Sequence, residues 1–222
     1  MIVDCISDLH GSFPKLEGGD LLIVAGDLTS NDSEKAWCEF ENWIFGQNYK
    51  EKVIIGGNHD NFLSTQNEHN FWRYWDKINV TYLCDSGIEL EGLKIWGSPW
   101  TPWFKQVNSR ATNFMKPDID LDQYWDLIPD DTDILITHTP AYGILDGIEQ
   151  FDGTLFHCGS QTLFNTLRKR VRPKLHVFGH IHEGYGVEKL MPRHDGTMMQ
   201  SINCSYVNGL YEPVNKPIRV EL

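Results

Sequence analysis

Five short motifs follow one another along the chain: Asp8-Leu9-His10, Gly26-Asp27, Gly57-Asn58-His59-Asp60, Thr137-His138 and Gly179-His180-Ile181-His182. From them Asp8, His10, Asp27, Asn58, His138, His180 and His182 offer carboxylate, imidazole and amide-oxygen donors, more than one tetrahedral zinc can use. Two divalent ions can share this set if one carboxylate bridges them. With Asp27 as the bridge, Asp8, His10, Asp27 and His182 hold one ion, while Asp27, Asn58, His138 and His180 hold the other. The absence of thiolate favours borderline-to-hard ions, Mn²⁺ foremost, with Fe or Zn²⁺ as alternatives.

Two such ions bring about four positive charges against two carboxylates, and one bridging hydroxide leaves a surplus of about one charge, suited to a singly anionic phosphodiester. Ions roughly 3.5 to 4 Å apart acidify the bridging water and align it with the leaving oxygen. The expected chemistry is therefore direct hydrolysis by hydroxide, without a covalent enzyme intermediate. His59 adjoins the ligand Asn58 but lies outside the donor set, which makes it the candidate acid for the leaving alkoxide, with Asp60 orienting its ring. A phosphomonoesterase or protein phosphatase is the alternative, and would want an additional Arg or His clamp beside the metals, for which Arg110 could serve although the sequence does not place it. A non-catalytic scaffold would ordinarily have lost ligands, whereas none is missing here.

Taken singly, each motif reads equally well as a strand-end turn or a structural histidine; the joint occurrence in order carries the metal reading. The remaining histidines, His69, His157, His176 and His194, are expected to be structural or solvated. Trp100, Trp103 and Phe104 are candidates for stacking a nucleobase at the pocket mouth, with core packing as the alternative.

Something must bring these donors together. Short β-branched runs at residues 2–7, 21–25, 52–55, 133–137 and 174–178 read as buried strands, and every motif begins where one of them ends. The crevice outside the carboxyl ends of parallel strands is the usual ligand site in such folds. Helical patterns cover Glu34–Phe45, with Asn31, Asp32 and Ser33 as candidate caps, and residues 67–76 and 160–171. Later runs at residues 87–90, 93–97 and 184–189, with Met198–Asn203 and Ile218–Glu221, predict hairpins and antiparallel pairing. Two mixed sheets packed face to face with helices outside, an α/β sandwich of four layers (α-β-β-α), accommodate these elements best. The longest irregular stretch, residues 98–122, is expected to be functional.

The 222 residues, 41% of them hydrophobic, are enough for one domain, residues 1–222, burying roughly 70% of its unfolded surface. A net charge of −12 argues against a long nucleic acid as partner, since no excess of Lys and Arg neutralises its phosphates. A small phosphodiester or nucleotide captured by a local positive centre remains compatible. The five cysteines are scattered, with no C-x-x-C pair, which predicts neither a disulfide framework nor a zinc knuckle and suits a reduced cytoplasmic setting. The apolar run at residues 2–6 contains Asp4 and has no basic leader, and no run approaches the ~18 residues of a membrane span. A soluble protein without a membrane partner is expected.

The set D-x-H, GD, GNHD, H and GHxH resembles that of the calcineurin-like metallophosphoesterase superfamily and spans residues 3–182. Residues 93–104 (LKIWGSPWTPWF), 134–140 (ILITHTP) and 177–186 (VFGHIHEGYG) are similar to its small single-domain branch, which includes the mammalian metallophosphoesterase-domain proteins. That resemblance implies phosphodiesterase activity on small or cyclic nucleotide esters, and the same ligand set and His59 role carried over position by position. Thr139-Pro140-Ala141 departs from the Pro-Pro form expected there. Some relatives carry glycine at the position of His180; the histidine here implies a fully furnished second metal site.

Overall fold

In a computed structural model the described residues are 1–65, 79–103 and 111–222. The expected helix at 67–76, together with Phe104 and Arg110, lies outside them. Strands β1 (Ile2–Ile6), β2 (Gly19–Ala25), β3 (Tyr49–Ile55) and β4 (Val80–Tyr82) pair in parallel, and β15 (Ile218–Glu221) closes the β1 edge antiparallel. The second sheet runs β13 (Gly186–Pro192), β14 (Met198–Asn203), β12 (Leu175–Phe178), β9 (Ile134–Thr137), β6 (Leu93–Ser98), β5 (Ser86–Leu90); its four inner strands are parallel and both edge strands antiparallel.

Period-two alternation builds the layers. Val3, Cys5, Leu21, Ile23, Val53 and Ile55 of the first sheet share one buried cluster with Ile95, Ile134, Ile136, Leu175, Val177 and Ile202 of the second. Their neighbours Leu22, Val24 and Ile54 face the other way, onto helix α1 (Glu34–Phe45). Buried residues Ala36, Trp37, Phe40, Trp43 and Ile44 form its apolar stripe, each large side chain contributing about 1.5–3 kcal/mol. Ser33 is the cap in use: its hydroxyl accepts from Ala36 N–H at 3.2 Å, and its loss would cost ~1 kcal/mol. On the far side Leu135, Phe178 and Met199 pack with Trp125 of α3 (Asp122–Trp125) and with Leu163 and Leu167 of α4 (Gln161–Lys169). The fold is thus mixed α/β, with two mixed sheets joined through a common core and helices against their outer faces. A short helix α2 (Asn61–Thr65) follows the GNHD motif.

The described parts of the stretch at 98–122, residues 98–103 and 111–122, are less irregular than expected. They hold β7 (Thr101–Pro102) paired with β8 (Met115–Lys116) and a 3₁₀ turn, Asp118–Leu121. Asp118 accounts for the turn by accepting from Gln161 N–H and Thr162 N–H at the start of α4, at 3.1 and 3.2 Å. The strand expected at 184–189 begins later, because His182–Gly184 form a 3₁₀ turn instead. A further hairpin, β10 (Gly147–Glu149) with β11 (Leu155–His157), was not expected from the sequence. All five cysteines are free, and among the described residues no helix is long and apolar enough to cross a membrane.

Candidate metal centre

The ends of β1, β2, β3, β9 and β12 deliver the motif residues to one rim. Backbone bonds tie the two sheets together there, Ser7 N–H to Cys204 carbonyl at 3.0 Å and Tyr206 N–H to Ser7 carbonyl at 2.8 Å, and extend each sheet into its loops, Asp8 N–H to Gly26 carbonyl at 3.0 Å in the first and Gly179 N–H to His138 carbonyl at 3.1 Å in the second. Turning the donors inward requires left-handed backbone at Asp8 (φ 50°), His10 (43°), Asp27 (53°) and His180 (68°). Each costs roughly 1–2 kcal/mol for a residue with a Cβ, a strain typical of functional positions.

Two motif glycines exist for space. A Cβ at Gly57 would collide with Asp27 Oδ1, and one at Gly179 with Asp8 Oδ2 and Ser7 Oγ.

The donors gather into overlapping groups: Asp8, His10 and His182; His10, Asp27 and His59; Asp27, His138 and His180. Asp27 is common to the last two. Its Oδ2 lies 3.4 Å from His138 Nε2, 3.7 Å from His10 Nε2 and 4.0 Å from His59 Nε2. His182 Nε2 stands 3.4 Å from Asp8 Oδ1, and Asn58 Oδ1 is 3.0 Å from His138 Nε2. All seven predicted ligands therefore meet at one rim.

The fit of these residues to cations rests on which ring nitrogens are occupied. His138 Nδ1 faces the Ala25 carbonyl at 2.9 Å, and His182 Nδ1 the Asn208 carbonyl at 3.1 Å. A backbone acceptor on Nδ1 keeps that nitrogen protonated, so that Nε2, once it has lost its own proton, presents a lone pair toward the carboxylates, the usual arrangement of a metal-ligating histidine. His10 Nε2 is buried without a hydrogen-bond partner among the described residues, although it faces Asp27. A cation between these groups would satisfy every one of them.

The electrostatics agree. Burial would by itself raise both aspartates, yet the His182 ring holds the Asp8 carboxyl below its usual range and His138 does the same for Asp27. Burial pushes His10 down to about 4 and leaves it neutral. His138 is raised to about 9, because the Asp27 carboxylate outweighs burial. Two buried carboxylates kept ionised form a cation site.

Asp8 is further held by hydroxyls outside the expected set: Ser7 Oγ and Ser205 Oγ donate to its Oδ2 at 2.6 and 2.8 Å. Ser205 had no spacing signal, as it follows the last motif by more than twenty residues and enters only through β14. Tyr211 was missed for the same reason; its ring centroid lies 4.8 Å from that of His10 and 5.2 Å from that of His182.

His59 sits beside the donors as expected, its side chain one-quarter exposed and its N–H bonded to Asp27 Oδ1 at 2.9 Å. The expectation for Asp60 is corrected. Its carboxylate accepts from Leu28 N–H at 3.0 Å and Gly57 N–H at 2.8 Å, so it ties the GD and GNHD turns together and does not orient the His59 ring. Being fully buried, it goes where unpaired backbone donors are.

Trp100 belongs to the packing, stacked on Tyr124 at 3.9 Å with its Nε1–H on Asp85 at 2.7 Å. Trp103 is half-exposed. His176 is buried against Thr137 at 2.8 Å, His157 is paired with Asp146 at 2.7 Å and His194 is exposed, as expected of residues outside the site.

Comparison with known proteins agrees with this geometry. The calcineurin-like phosphoesterase family model matches residues 1–184. The human metallophosphoesterase domain-containing protein 1 is 35% identical over 240 residues, covering 98% of this chain and 70% of its own. The Caenorhabditis elegans UPF0046 protein T07D4.2 is 37% identical over 243 residues, covering 96% and 58%. The crystal structure of TT1561 of Thermus thermophilus shares the fold, with a TM-score of 0.56 at 11% identity over 91% of this chain and 88% of that one. With the family model spanning residues 1–184 and a relative 35% identical over 98% of the chain, and with His and Asp groups able to hold metal ions at one rim, the chain belongs to the calcineurin-like phosphoesterases and is a metal-dependent phosphoester hydrolase.

Proposed function

We propose that this protein hydrolyses small phosphodiesters, cyclic nucleotides among them, at a centre of two divalent ions. The observation that carries the reading is the position of Asp27, whose carboxylate is shared by a group containing His10 and His59 and one containing His138 and His180, with His10 linking the first of these to Asp8 and His182. Asp8, His10, Asp27 and His182 would hold one ion and Asp27, Asn58, His138 and His180 the other. Mn²⁺ suits this set, with Fe or Zn²⁺ as alternatives. When bound, the ions supply countercharge for the phosphoryl oxygens and a water acidic enough to attack phosphorus at neutral pH.

The chain's own residues do the rest. Carbonyls of Ala25 and Asn208 keep His138 and His182 in one tautomer. His59, partly exposed and 4.0 Å from Asp27, would give a proton to the leaving oxygen. A diester is favoured over a monoester on charge: two divalent ions against two carboxylates and a hydroxide leave a surplus of about one, which matches a singly anionic phosphate. The net charge of −12 disfavours long nucleic acids, and the free cysteines suit the cytoplasm.

The test is turnover by the manganese-reconstituted protein of bis(p-nitrophenyl) phosphate, p-nitrophenyl phosphate and 2′,3′- and 3′,5′-cyclic nucleotides, with metal content measured. Two ions per chain and preference for diesters are expected. Faster monoester turnover, or full activity with one ion, would refute it.

A further inference from the structure

Tyr211 is bound to the site more closely than a surface residue needs to be. Its ring is steeply inclined to His10 (4.8 Å, 70°), His182 (5.2 Å, 88°) and His59 (6.5 Å, 70°). Among the described residues, no other non-histidine ring contacts the histidines of the centre. The segment carrying it is braced by Asn208. The Asn208 carbonyl accepts from both His182 Nδ1 at 3.1 Å and Tyr211 N–H at 2.8 Å. Its side-chain oxygen accepts from Leu210 N–H and Glu212 N–H at 2.9 and 3.0 Å, and its amide donates to Glu212 Oε2 at 2.9 Å.

This bracing holds Tyr211 at φ 61°, a backbone region that bulky residues avoid. Core packing does not explain the strain, since the residue is 54% exposed. An aromatic residue held on a disfavoured backbone conformation, half in solvent and beside the metal donors, is a candidate for holding a ligand. An ester bound among these donors, with its leaving oxygen near His59, carries its organic substituent past this ring. Of the platforms expected from the sequence, Trp100 is already stacked on Tyr124, and among the described residues Trp103 makes no ring contact with the histidines of the centre.

We infer that Tyr211 is a specificity-determining residue, a platform on which a planar aromatic substituent of the ester, such as a nucleobase, stacks. The inference rests on the phosphodiesterase reading above and names the kind of substituent selected. Stacking on a preset ring is favourable for any base and independent of base-specific hydrogen bonds.

The test compares AMP with ribose 5-phosphate, which carry the same phosphate with and without a base, by calorimetry on the manganese-reconstituted protein. Wild type and Tyr211→Phe are expected to bind AMP more tightly than ribose 5-phosphate. Tyr211→Leu is expected to weaken AMP about tenfold and ribose 5-phosphate less than twofold, with metal content unchanged. Equal loss for both ligands would make the ring a mere wall of the metal centre and overturn the inference, as would unchanged AMP affinity or equal wild-type affinities. Those results leave the phosphodiesterase reading standing, because wild-type diester turnover is measured separately. A wild type that binds neither ligand and hydrolyses no diester would remove the phosphodiesterase reading as well.

Discussion

The Asp27 carboxylate occupies the space that a Cβ on Gly57 would need. The glycine of the GNHD motif is thus there to admit a ligand from a different strand. Gly57→Ala should displace Asp27 from both donor groups, lowering bound metal below one ion per chain and kcat/KM by about 10²-fold or more, on the scale of a misplacement of ~1 Å. Elemental analysis beside turnover checks this; normal metal content would contradict it.

His59→Ala should reduce turnover of diesters with poor, alkoxide leaving groups about 10²–10⁴-fold and spare p-nitrophenyl esters, whose leaving group needs no proton. Metal content should not change. A uniform loss across leaving groups would show that His59 supports the centre rather than donating a proton.

Asp60 should matter to stability. Leu28 N–H and Gly57 N–H both reach its Oδ2, at 3.2 and 2.8 Å, so Asp60→Asn, which keeps one acceptor oxygen, should cost less than Asp60→Ala. Asp60→Ala strands the N–H groups of Leu28 and Gly57, at a cost of about 1–3 kcal/mol each. Thermal melts of the two variants should separate clearly. If they coincide, the backbone role is wrong.

Metal binding should strengthen with pH. Without metal, His138 is protonated below about 9 and must lose that proton to become a ligand, so affinity rises about tenfold per pH unit per proton released and levels off above that value. The metal-free pair behaves oppositely. Because the folded His138 value is raised, the stabilisation from His138 with Asp27 is complete below the unfolded value of about 6.5 and is lost as pH rises through about 9. Asp8 and Asp27, held low, stabilise above the ordinary carboxyl value of about 3.9 and lose that contribution as pH falls through their depressed values. The difference in Tm between manganese-loaded and chelator-treated protein should therefore widen from pH 6 to 9. A constant gap would contradict the linkage.

Much of this was legible in the chain. Chemistry-bearing residues at the ends of β-branched runs, in one order, name the donor set, since only oxygen and imidazole ligands occur and each follows a strand. The runs locate β1, β2, β3, β9 and β12, and the apolar stripe locates α1, because period and capping are local properties. Ser33 was recoverable as a cap among three candidates for the same reason.

Tertiary structure decided the rest. That Asp60 serves backbone donors rather than His59 depends on Leu28 and Gly57 arriving from two separate strands. Ser205 and Tyr211 reach the centre only after β14 and the bonds of Asn208 carry the chain back to it, and no spacing rule spans such a return. Sequence states which side chains can coordinate, because chemistry belongs to residue type; only the folded chain states which face each other, because proximity is set by how the sheets pack.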